Sequence, residues 1–270
     1  MANAKDYVEN RDVLKEDFGW EVPVELVPLP SKGVIYDPET PLYKKEAVKI
    51  RAMTARDEDI LASAALIKEG TVLDHLITSC LKEKGVNSHE LVIGDRNALM
   101  VAIRVTGYGT DYPVGVNCNS CGKHNDVNIN LGELEIKRLG VEPAEIGKNL
   151  FEYTLPVTKK KVKFKFITMK DEKENSIRAK SLKKNMSDKA GTAVTDSLEM
   201  AICEIDGITD KNKIRHFILN MPAYDSRSLR KFIKDNEPGM NMTWQYDCSA
   251  CDRENNIAIP ITSEFFWPST

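Results

Sequence analysis

The residues best suited to chemistry are four cysteines arranged as two Cys-x-x-Cys pairs: Cys118, Cys121, Cys248 and Cys251. A gap of two residues lets one tight turn direct both sulfurs at a single metal ion, and four thiolates form the closed tetrahedral ligand set of a structural zinc site. Gly122 and Asp252 follow the two pairs, at a position where such turns often need a positive φ. The sequence therefore predicts one structural Zn²⁺ shared by both pairs, although the pairs lie much farther apart than in a usual zinc ribbon.

Other roles for the cysteines, and for a nearby histidine, have less support in the pattern. A redox Cys-x-x-Cys normally lies at the start of a helix in a strand–helix unit, whereas extended runs flank both pairs here. His124 is a competing ligand, but with four thiolates at hand it is better interpreted as a surface residue of its hairpin. Cys80 and Cys203 lie on apolar faces of predicted helices, which favours packing in the core.

The sequence contains none of the common catalytic motifs. There is no glycine-rich phosphate loop, no Gly-x-Ser-x-Gly elbow, no His-Glu-x-x-His and no His-x-Glu ahead of a cysteine pair. A zinc ion with four thiolate ligands also has no open position for a reactive water. We therefore predict no enzymatic activity and no catalytic residues. A hydrolase is the weaker alternative, since no pair of carboxylates stands out by spacing or apolar setting.

The charge balance argues against dedicated binding to nucleic acids or membranes. The formal net charge of the 270 residues is −3, with acidic and basic residues mixed along the chain. A zinc-ribbon nucleic-acid binder is the main alternative function, but such a protein usually shows a basic excess with interleaved aromatic residues. No apolar run is long enough to span a bilayer, and the polar N-terminus lacks the apolar core of a secretory signal. We expect a reducing cytoplasm, where cysteines favour metal binding over disulfides.

Both helices and strands are predicted to position the cysteines. Extended apolar runs predict strands at residues 22–28, 34–36, 47–51 and 161–166, and on both sides of each cysteine pair. Helical spacing of apolar residues predicts helices between 55 and 106, opened by a capping pair of Thr54 and Asp57, and a helix from Thr192 to Ile205. The charged stretch at 170–190 is expected to be a solvated helix. The predicted class is α+β: a helical body with small β-hairpins, two of which join their Cys-x-x-Cys knuckles as a zinc-ribbon-like unit.

The two cysteine segments are similar to each other. In each, an extended run leads into the Cys-x-x-Cys pair, a polar stretch and a second alternating apolar run, which predicts a hairpin with a metal-binding turn (a knuckle) at its tip. This pattern divides the chain into predicted regions: a flexible arm at 1–20, a strand-plus-helix region at 21–112, paired zinc-knuckle hairpins at 113–131 and 240–263, an inserted mostly helical region at 132–239, and an aromatic tail at 264–270.

Three segments carry a resemblance to a known family. The first is Leu29–Tyr36 followed by Val48–Glu58, the second runs from Gly94–Arg96 to the first cysteine pair, and the third runs from the second pair to Phe265–Pro268. In this order and spacing they resemble the baseplate hub and hub-assembly proteins of T-even-type contractile-tailed bacteriophages. The resemblance covers the N-terminal half and the C-terminal tail, while residues 132–235 match only in general character.

The resemblance implies a role in virion assembly, either as part of the baseplate hub or as a factor that helps to build it. Its partners would be other hub proteins in an oligomeric assembly, formed in the host cytoplasm and, where the protein is retained, present in the tail baseplate of the virion. Two segments suit docking, a turn expected to be rigid and exposed and an aromatic chain end; their residues are Pro30, Lys32, Gly33, Phe265, Phe266 and Trp267. The chain end has an alternative placement, folded back on its own core.

Overall fold

The computed structural model describes residues 13–175 and 193–267, and these form the predicted α+β fold. Three predictions fall partly outside the described residues: the arm at 1–20, the charged stretch at 170–190 and the tail at 264–270. The solvated helix expected at 170–190 therefore stays a prediction, as do the boundaries of the predicted regions.

Helices are distributed along the described part of the chain. They are α1 (Val13–Phe18), α2 (Ala55–Ala62), α3 (Ala64–Glu69), α4 (Val72–Cys80), α5 (Ile93–Tyr108), α6 (residues 169–175), α7 (Ala193–Ala201), α8 (Lys211–Asn220) and α9 (Ala223–Asn236). Short 3-10 turns lie at Ser88–Glu90, Leu131–Glu133 and Ser263–Phe266. Across these ranges, no helix combines the length and the apolar character needed to cross a lipid bilayer.

The strands are short and pair in antiparallel fashion. They are β1 (Val24–Pro28), β2 (Ala47–Arg51), β3 (Asp111–Asn117), β4 (His124–Asn130), β5 (Ile136–Lys137), β6 (Phe151–Thr154), β7 (Lys161–Phe164), β8 (Ile202–Ile205), β9 (Gly239–Met240), β10 (Thr243–Asp247) and β11 (Glu254–Ala258). Two-stranded ribbons form from β1–β2, β3–β4, β5–β9 and β10–β11, and β6–β7–β8 form a three-stranded sheet.

Helix α2 begins with the predicted capping pair. One carboxylate oxygen of Asp57 accepts hydrogen bonds from the backbone N–H and the hydroxyl of Thr54, both at 2.8 Å. Arg51 of β2 donates to both oxygens of this carboxylate at 2.6 and 2.9 Å, and the Ser79 hydroxyl of α4 donates at 2.7 Å. Burial alone raises the pKa of Asp57, but these hydrogen bonds outweigh it and hold the pKa well below its usual range. The carboxylate thus ties β2, α2 and α4 together.

Two predictions about local structure are wrong. Residues 34–36 form turns instead of a strand, because the backbone N–H groups of Val34 and Tyr36 donate to carbonyls three residues earlier in the chain. The helix predicted to reach Ile205 ends at Ala201, and Ile202–Ile205 forms β8. Antiparallel pairing with β7 decides this outcome, since a short apolar run suits a buried strand and a buried helix equally well by periodicity.

A continuous cluster of buried apolar residues runs from Val27 in β1 to Phe266 near the end of the described chain. Helix α5 approaches β9 closely at Gly94, where an added Cβ would lie 1.8 Å from the carbonyl oxygen of Pro238. Any larger side chain at that position would push the two backbones apart. This contact fixes the start of α5 against the residues that lead into the second cysteine hairpin.

Candidate metal centre

The four cysteines lie at the tips of two hairpins with the same construction. Hairpin 1 (β3–β4) and hairpin 2 (β10–β11) pair their strands in the same register: Val114 faces Val127 and Trp244 faces Ile257, so that corresponding residues differ by 130 in number. The similarity seen in the sequence is therefore a structural repeat, and both predicted hairpins are confirmed.

Each knuckle is a tight turn closed by two backbone hydrogen bonds. In the first, the N–H of Cys118 donates to the carbonyl of Lys123 at 2.8 Å, and the N–H of Gly122 donates to the carbonyl of Cys118 at 2.9 Å. The corresponding distances in the second knuckle are 3.0 and 2.9 Å. Gly122 has a φ of 73° and Asp252 a φ of 52°, which confirms the positive φ predicted after each pair. Glycine adopts this conformation without steric cost, and aspartate tolerates it.

The sulfurs of the two pairs meet, although the pairs are distant in sequence. All four Sγ atoms lie within 4.8 Å of one another; those of Cys118 and Cys251 are 3.9 Å apart, and those of Cys121 and Cys248 are 3.7 Å apart. A tetrahedral site with metal–sulfur bonds of about 2.3 Å has sulfur–sulfur edges of about 3.8 Å. The donor set therefore fits a four-coordinate metal ion. Within it, Cys118 and Cys248 are buried, whereas Cys121 and Cys251 are exposed.

The backbone of each knuckle favours the thiolate form of its buried cysteine. Hydrogen bonds from the backbone N–H groups of Cys121 and Ser120 lower the pKa of the Cys118 thiol to about 6. The backbone N–H of Ala250 is the main cause of a lowered pKa for the Cys248 thiol. Because metals bind the thiolate and not the thiol, this environment suits the two cysteines to a ligand role.

Two asparagines link the hairpins beside the sulfurs, and sequence analysis missed both. Asn125 and Asn255 each lie seven residues after the first cysteine of their pair, and both are buried. The side-chain N–H of Asn125 donates toward Cys248 Sγ at 3.7 Å, and that of Asn255 donates toward Cys118 Sγ at 3.5 Å. Their identical position in the two repeats is the sequence signal that could have identified them.

Other candidate side chains lie outside the cluster. His124 is exposed; its ring contacts the side-chain oxygen of Asn117 at 3.0 Å and a carboxylate oxygen of Asp126 at 3.4 Å. Cys80 packs in the core as predicted, and burial raises the pKa of its thiol to about 12. Cys203 lies on β8 and not on a helix; it is half-buried, and burial raises the pKa of its thiol as well.

The hairpins are also joined at their roots, through an arginine that sequence analysis missed. Arg104 of α5 is buried, and its guanidinium donates to the carbonyl oxygens of Phe265 at 3.1 Å, Gly109 at 3.1 Å and Asp111 at 3.2 Å. Gly109 follows α5, Asp111 begins hairpin 1, and Phe265 lies beyond hairpin 2. Burial lowers the pKa of this guanidinium. The only hint in the sequence is that Arg104 lies among apolar residues of a predicted helix.

The turn that was expected to be exposed is largely buried. Lys32 is exposed, but Pro30 and Gly33 are buried, which corrects the expectation for these two residues. A Cβ at Gly33 would lie 2.3 Å from the carbonyl oxygen of Leu42, so that glycine is required there by close packing. A docking role for the turn stays a prediction, and Lys32 is its accessible residue.

A buried carboxylate on α5 explains why this turn packs inward. Asp95 accepts hydrogen bonds from the backbone N–H of Ser31 at 2.8 Å, from the Ser31 hydroxyl at 2.5 Å and from the Tyr36 hydroxyl at 2.7 Å. Burial raises the pKa of both Asp95 and Tyr36. Two of the segments that carried the family resemblance, Leu29–Tyr36 and Gly94–Arg96, are therefore in direct contact.

Two residues of the aromatic tail fold back on the chain. Phe265 and Phe266 are completely buried, and the ring centroid of Phe265 lies 5.1 Å from that of Tyr112 in hairpin 1. Trp267 is 41% exposed. The folded-back placement is thus the one adopted by the two phenylalanines. Contact with a partner stays a prediction, for which Trp267 is the accessible residue.

Comparison with known proteins gives a match that covers most of the chain. The sequence matches the model of a family described as "T4 bacteriophage base plate protein" over residues 34–267. This range contains both cysteine pairs, both buried asparagines, Arg104 and Asp95. No curated protein and no solved structure matches the chain.

Proposed function

The chain belongs to the T4 bacteriophage base plate protein family, and we propose that it acts in the baseplate hub, as a structural subunit or as a hub-assembly factor. Family membership assigns it a structural role in a phage baseplate, in association with other baseplate components. The narrower assignment to the hub is supported by the three segments that resemble hub and hub-assembly proteins. Direct contact between two of those segments at Asp95 supports treating them as one structural unit.

The proposal includes one structural Zn²⁺ bound by Cys118, Cys121, Cys248 and Cys251. The observation that supports it is the meeting of four sulfurs from two distant pairs at tetrahedral spacing. Soft thiolates in a tetrahedral set are typical of zinc or of an iron–sulfur centre, and four cysteines in two knuckles are the usual ligands of structural zinc. Bound zinc supplies metal–sulfur bonds to both knuckles and, with all four positions filled, leaves no site for a substrate.

A metal at this position would restrain both ends of the segment between the two knuckles. Residues 122–247 lie between the two knuckles and include the three-stranded sheet and helices α7 to α9. Joining the knuckles fixes both ends of that region, and Arg104 fixes the roots of the same hairpins. These two links hold distant surfaces of the chain in a fixed relative orientation, which a structural role in a large assembly requires.

Metal content tests the zinc assignment directly. Protein purified under reducing conditions should contain one zinc per chain by inductively coupled plasma mass spectrometry. A Cys118→Ser/Cys248→Ser variant should lose the metal, while Cys203→Ser, which alters a cysteine outside the cluster, should keep it. Equal metal content in the two variants, or metal-free wild-type protein after expression with added zinc, would exclude a zinc site at the knuckles.

Fractionation of assembling tails tests the hub assignment. A tagged chain should copurify with hub intermediates, and mass spectrometry of finished tails then separates the two roles: a structural subunit is present in them, and an assembly factor is absent. Trp267→Ala should weaken this association, whereas Tyr224→Ala, which alters an exposed aromatic residue on α9, should not. Recovery only with baseplate parts other than the hub would contradict the hub assignment.

A further inference from the structure

The side chains of Asn125 and Asn255 each reach from their own hairpin to the other hairpin. Each asparagine belongs to one hairpin, but its amide lies against the knuckle of the other. The amide oxygen of Asn125 accepts hydrogen bonds from the backbone N–H and the hydroxyl of Ser249, both at 2.9 Å. In the reverse direction, the amide oxygen of Asn255 accepts a hydrogen bond from the backbone N–H of Asn119 at 3.3 Å.

The amide nitrogens complete the same arrangement on both sides. Asn125 donates to the carbonyl of Lys123 in its own knuckle at 2.9 Å, and Asn255 donates to the carbonyl of Arg253 in its own knuckle at 2.7 Å. The same nitrogens donate toward the buried sulfur of the opposite knuckle, Cys248 or Cys118. Backbone N–H groups can only donate and carbonyl oxygens can only accept, so these partners determine which end of each amide is oxygen.

We propose that Asn125 and Asn255 are the positioning residues of the metal site, each holding the opposite knuckle and donating an N–H to its buried thiolate. This inference rests on the proposed metal site and goes beyond it, because it identifies what orients the ligands. Each side-chain amide forms hydrogen bonds to backbone segments of both hairpins at once. These hydrogen bonds set the distance between the two pairs of sulfurs. The knuckles are then arranged for the metal by the protein itself, before any metal–sulfur bond forms.

Charge explains why an amide occupies both positions. A divalent ion with four thiolates carries an excess of two negative charges, which N–H donors around the sulfurs stabilise. Both asparagines are buried, so that water contributes little to this stabilisation. A carboxylate of the same shape would keep the acceptor oxygen but would lose the donor and add a negative charge beside the sulfurs.

A matched pair of variants on one strand tests the proposal. Asn255→Asp changes the buried asparagine of β11, and Asn256→Asp makes the same change at the next residue, which is exposed on the opposite face. Zinc affinity measured by chelator competition should fall about 10- to 100-fold for Asn255→Asp and stay at the wild-type value for Asn256→Asp. In the Co²⁺-loaded protein, the sulfur-to-metal charge-transfer bands should shift for Asn255→Asp while the tetrahedral ligand-field bands persist.

The outcomes separate this inference from the proposed zinc site. Wild-type protein that binds no metal would remove both proposals. Wild-type protein that binds one zinc, together with an Asn255→Asp variant of unchanged affinity and unchanged charge-transfer bands, would overturn the positioning role alone. Equal losses in Asn255→Asp and Asn256→Asp would also overturn it, because the effect would then be one of charge anywhere on the strand.

A measurement on the wild-type chain covers the case in which Asn255→Asp does not fold. With ¹¹³Cd in the site and ¹⁵N in the protein, a hydrogen bond from nitrogen to a metal-bound sulfur transmits a scalar coupling between the metal and the amide proton. Couplings from ¹¹³Cd to the side-chain N–H of both Asn125 and Asn255 are expected. Their absence, in spectra that show couplings to the backbone N–H of Ser120, would contradict the proposal.

Discussion

Replacement of Arg104 should destabilise the protein and release its C-terminal tail. The guanidinium joins the tail that follows hairpin 2 to the short segment that connects the end of α5 with the start of hairpin 1. In an Arg104→Met variant, the volume of the side chain is largely kept while all three donors are lost. Arg104→Lys keeps the charge, but a single ammonium group cannot reproduce the planar fork of a guanidinium.

The size of the loss in stability depends on how deeply each hydrogen bond of Arg104 is buried. The bond to the carbonyl of Phe265 is fully buried, and its loss leaves an acceptor without a donor at a cost of about 1–3 kcal/mol. The bonds to Gly109 and Asp111 are partly buried, so water can replace each donor, at about 0.5–1 kcal/mol per bond. The substitution also removes the desolvation penalty of a buried cation, which offsets part of this loss. We expect a net loss of about 3 kcal/mol for Arg104→Met, with Arg104→Lys between it and the wild type.

Urea unfolding and C-terminal proteolysis would measure the two consequences. The unfolding free energy should fall by the stated amount for Arg104→Met, and carboxypeptidase should remove the tail faster than in the wild type. Arg230→Met alters an exposed arginine on α9 and should change the unfolding free energy by less than about 0.5 kcal/mol. An Arg104→Met variant as stable as Arg230→Met, with a tail that is equally resistant, would refute the role assigned to the guanidinium.

Three further predictions concern the metal, a buried carboxylate and a close backbone contact. A metal that joins Cys118 to Cys251, which lie 133 positions apart, would add about 5 kcal/mol to the free energy of unfolding by closing the chain between them. Chelation should therefore lower the unfolding temperature by about 10 °C in calorimetry of both wild type and Cys203→Ser, and an unchanged temperature would argue against a metal cross-link. Because the pKa of Asp57 is lowered in the folded protein, its contribution to the free energy of unfolding is complete above about pH 4 and is progressively lost below that pH. Urea midpoints measured from pH 5 downward should therefore fall more steeply for wild type than for Asp57→Asn, and parallel curves would be inconsistent with this. Gly94→Ala should cost more than about 3 kcal/mol or prevent folding, as measured by urea unfolding. Gly107→Ala on the same helix should cost much less, because the nearest atom to the added methyl group would be the Cβ of Met53 at 3.1 Å and not a backbone atom.

The local features of the site were predictable because short-range geometry determines them. The two-residue spacing of each cysteine pair dictates a tight turn that brings its two sulfurs together, and positive φ follows from the turn at Gly122 and Asp252. Alternating apolar residues likewise indicate the strands on either side. Thr54 and Asp57 are recognisable as a capping pair because their interaction spans three residues.

Pattern alone was misleading where a partner elsewhere in the chain decided the structure or the burial of a segment. Ile202–Ile205 fits the end of an apolar helix, yet it forms β8 because β7 offers a strand edge beside it. Pro30 and Gly33 belong to a turn, and turns are usually exposed, but a buried carboxylate 64 residues away from Ser31 draws this turn into the interior. In both cases the deciding partner lies elsewhere in the chain.

By itself, the sequence determined the four candidate metal ligands, the two hairpins and the α+β class. Only the tertiary structure decided which polar side chains support them: Asn125 and Asn255 at the tips, and Arg104 at the roots. The physical reason is the range of the interactions. A knuckle is stabilised within a few residues. The hydrogen bonds from Asn125 to Cys248, from Asn255 to Cys118 and from Arg104 to Phe265 instead join groups more than 100 positions apart, and they become identifiable only when the fold has brought donor and acceptor into the same buried space.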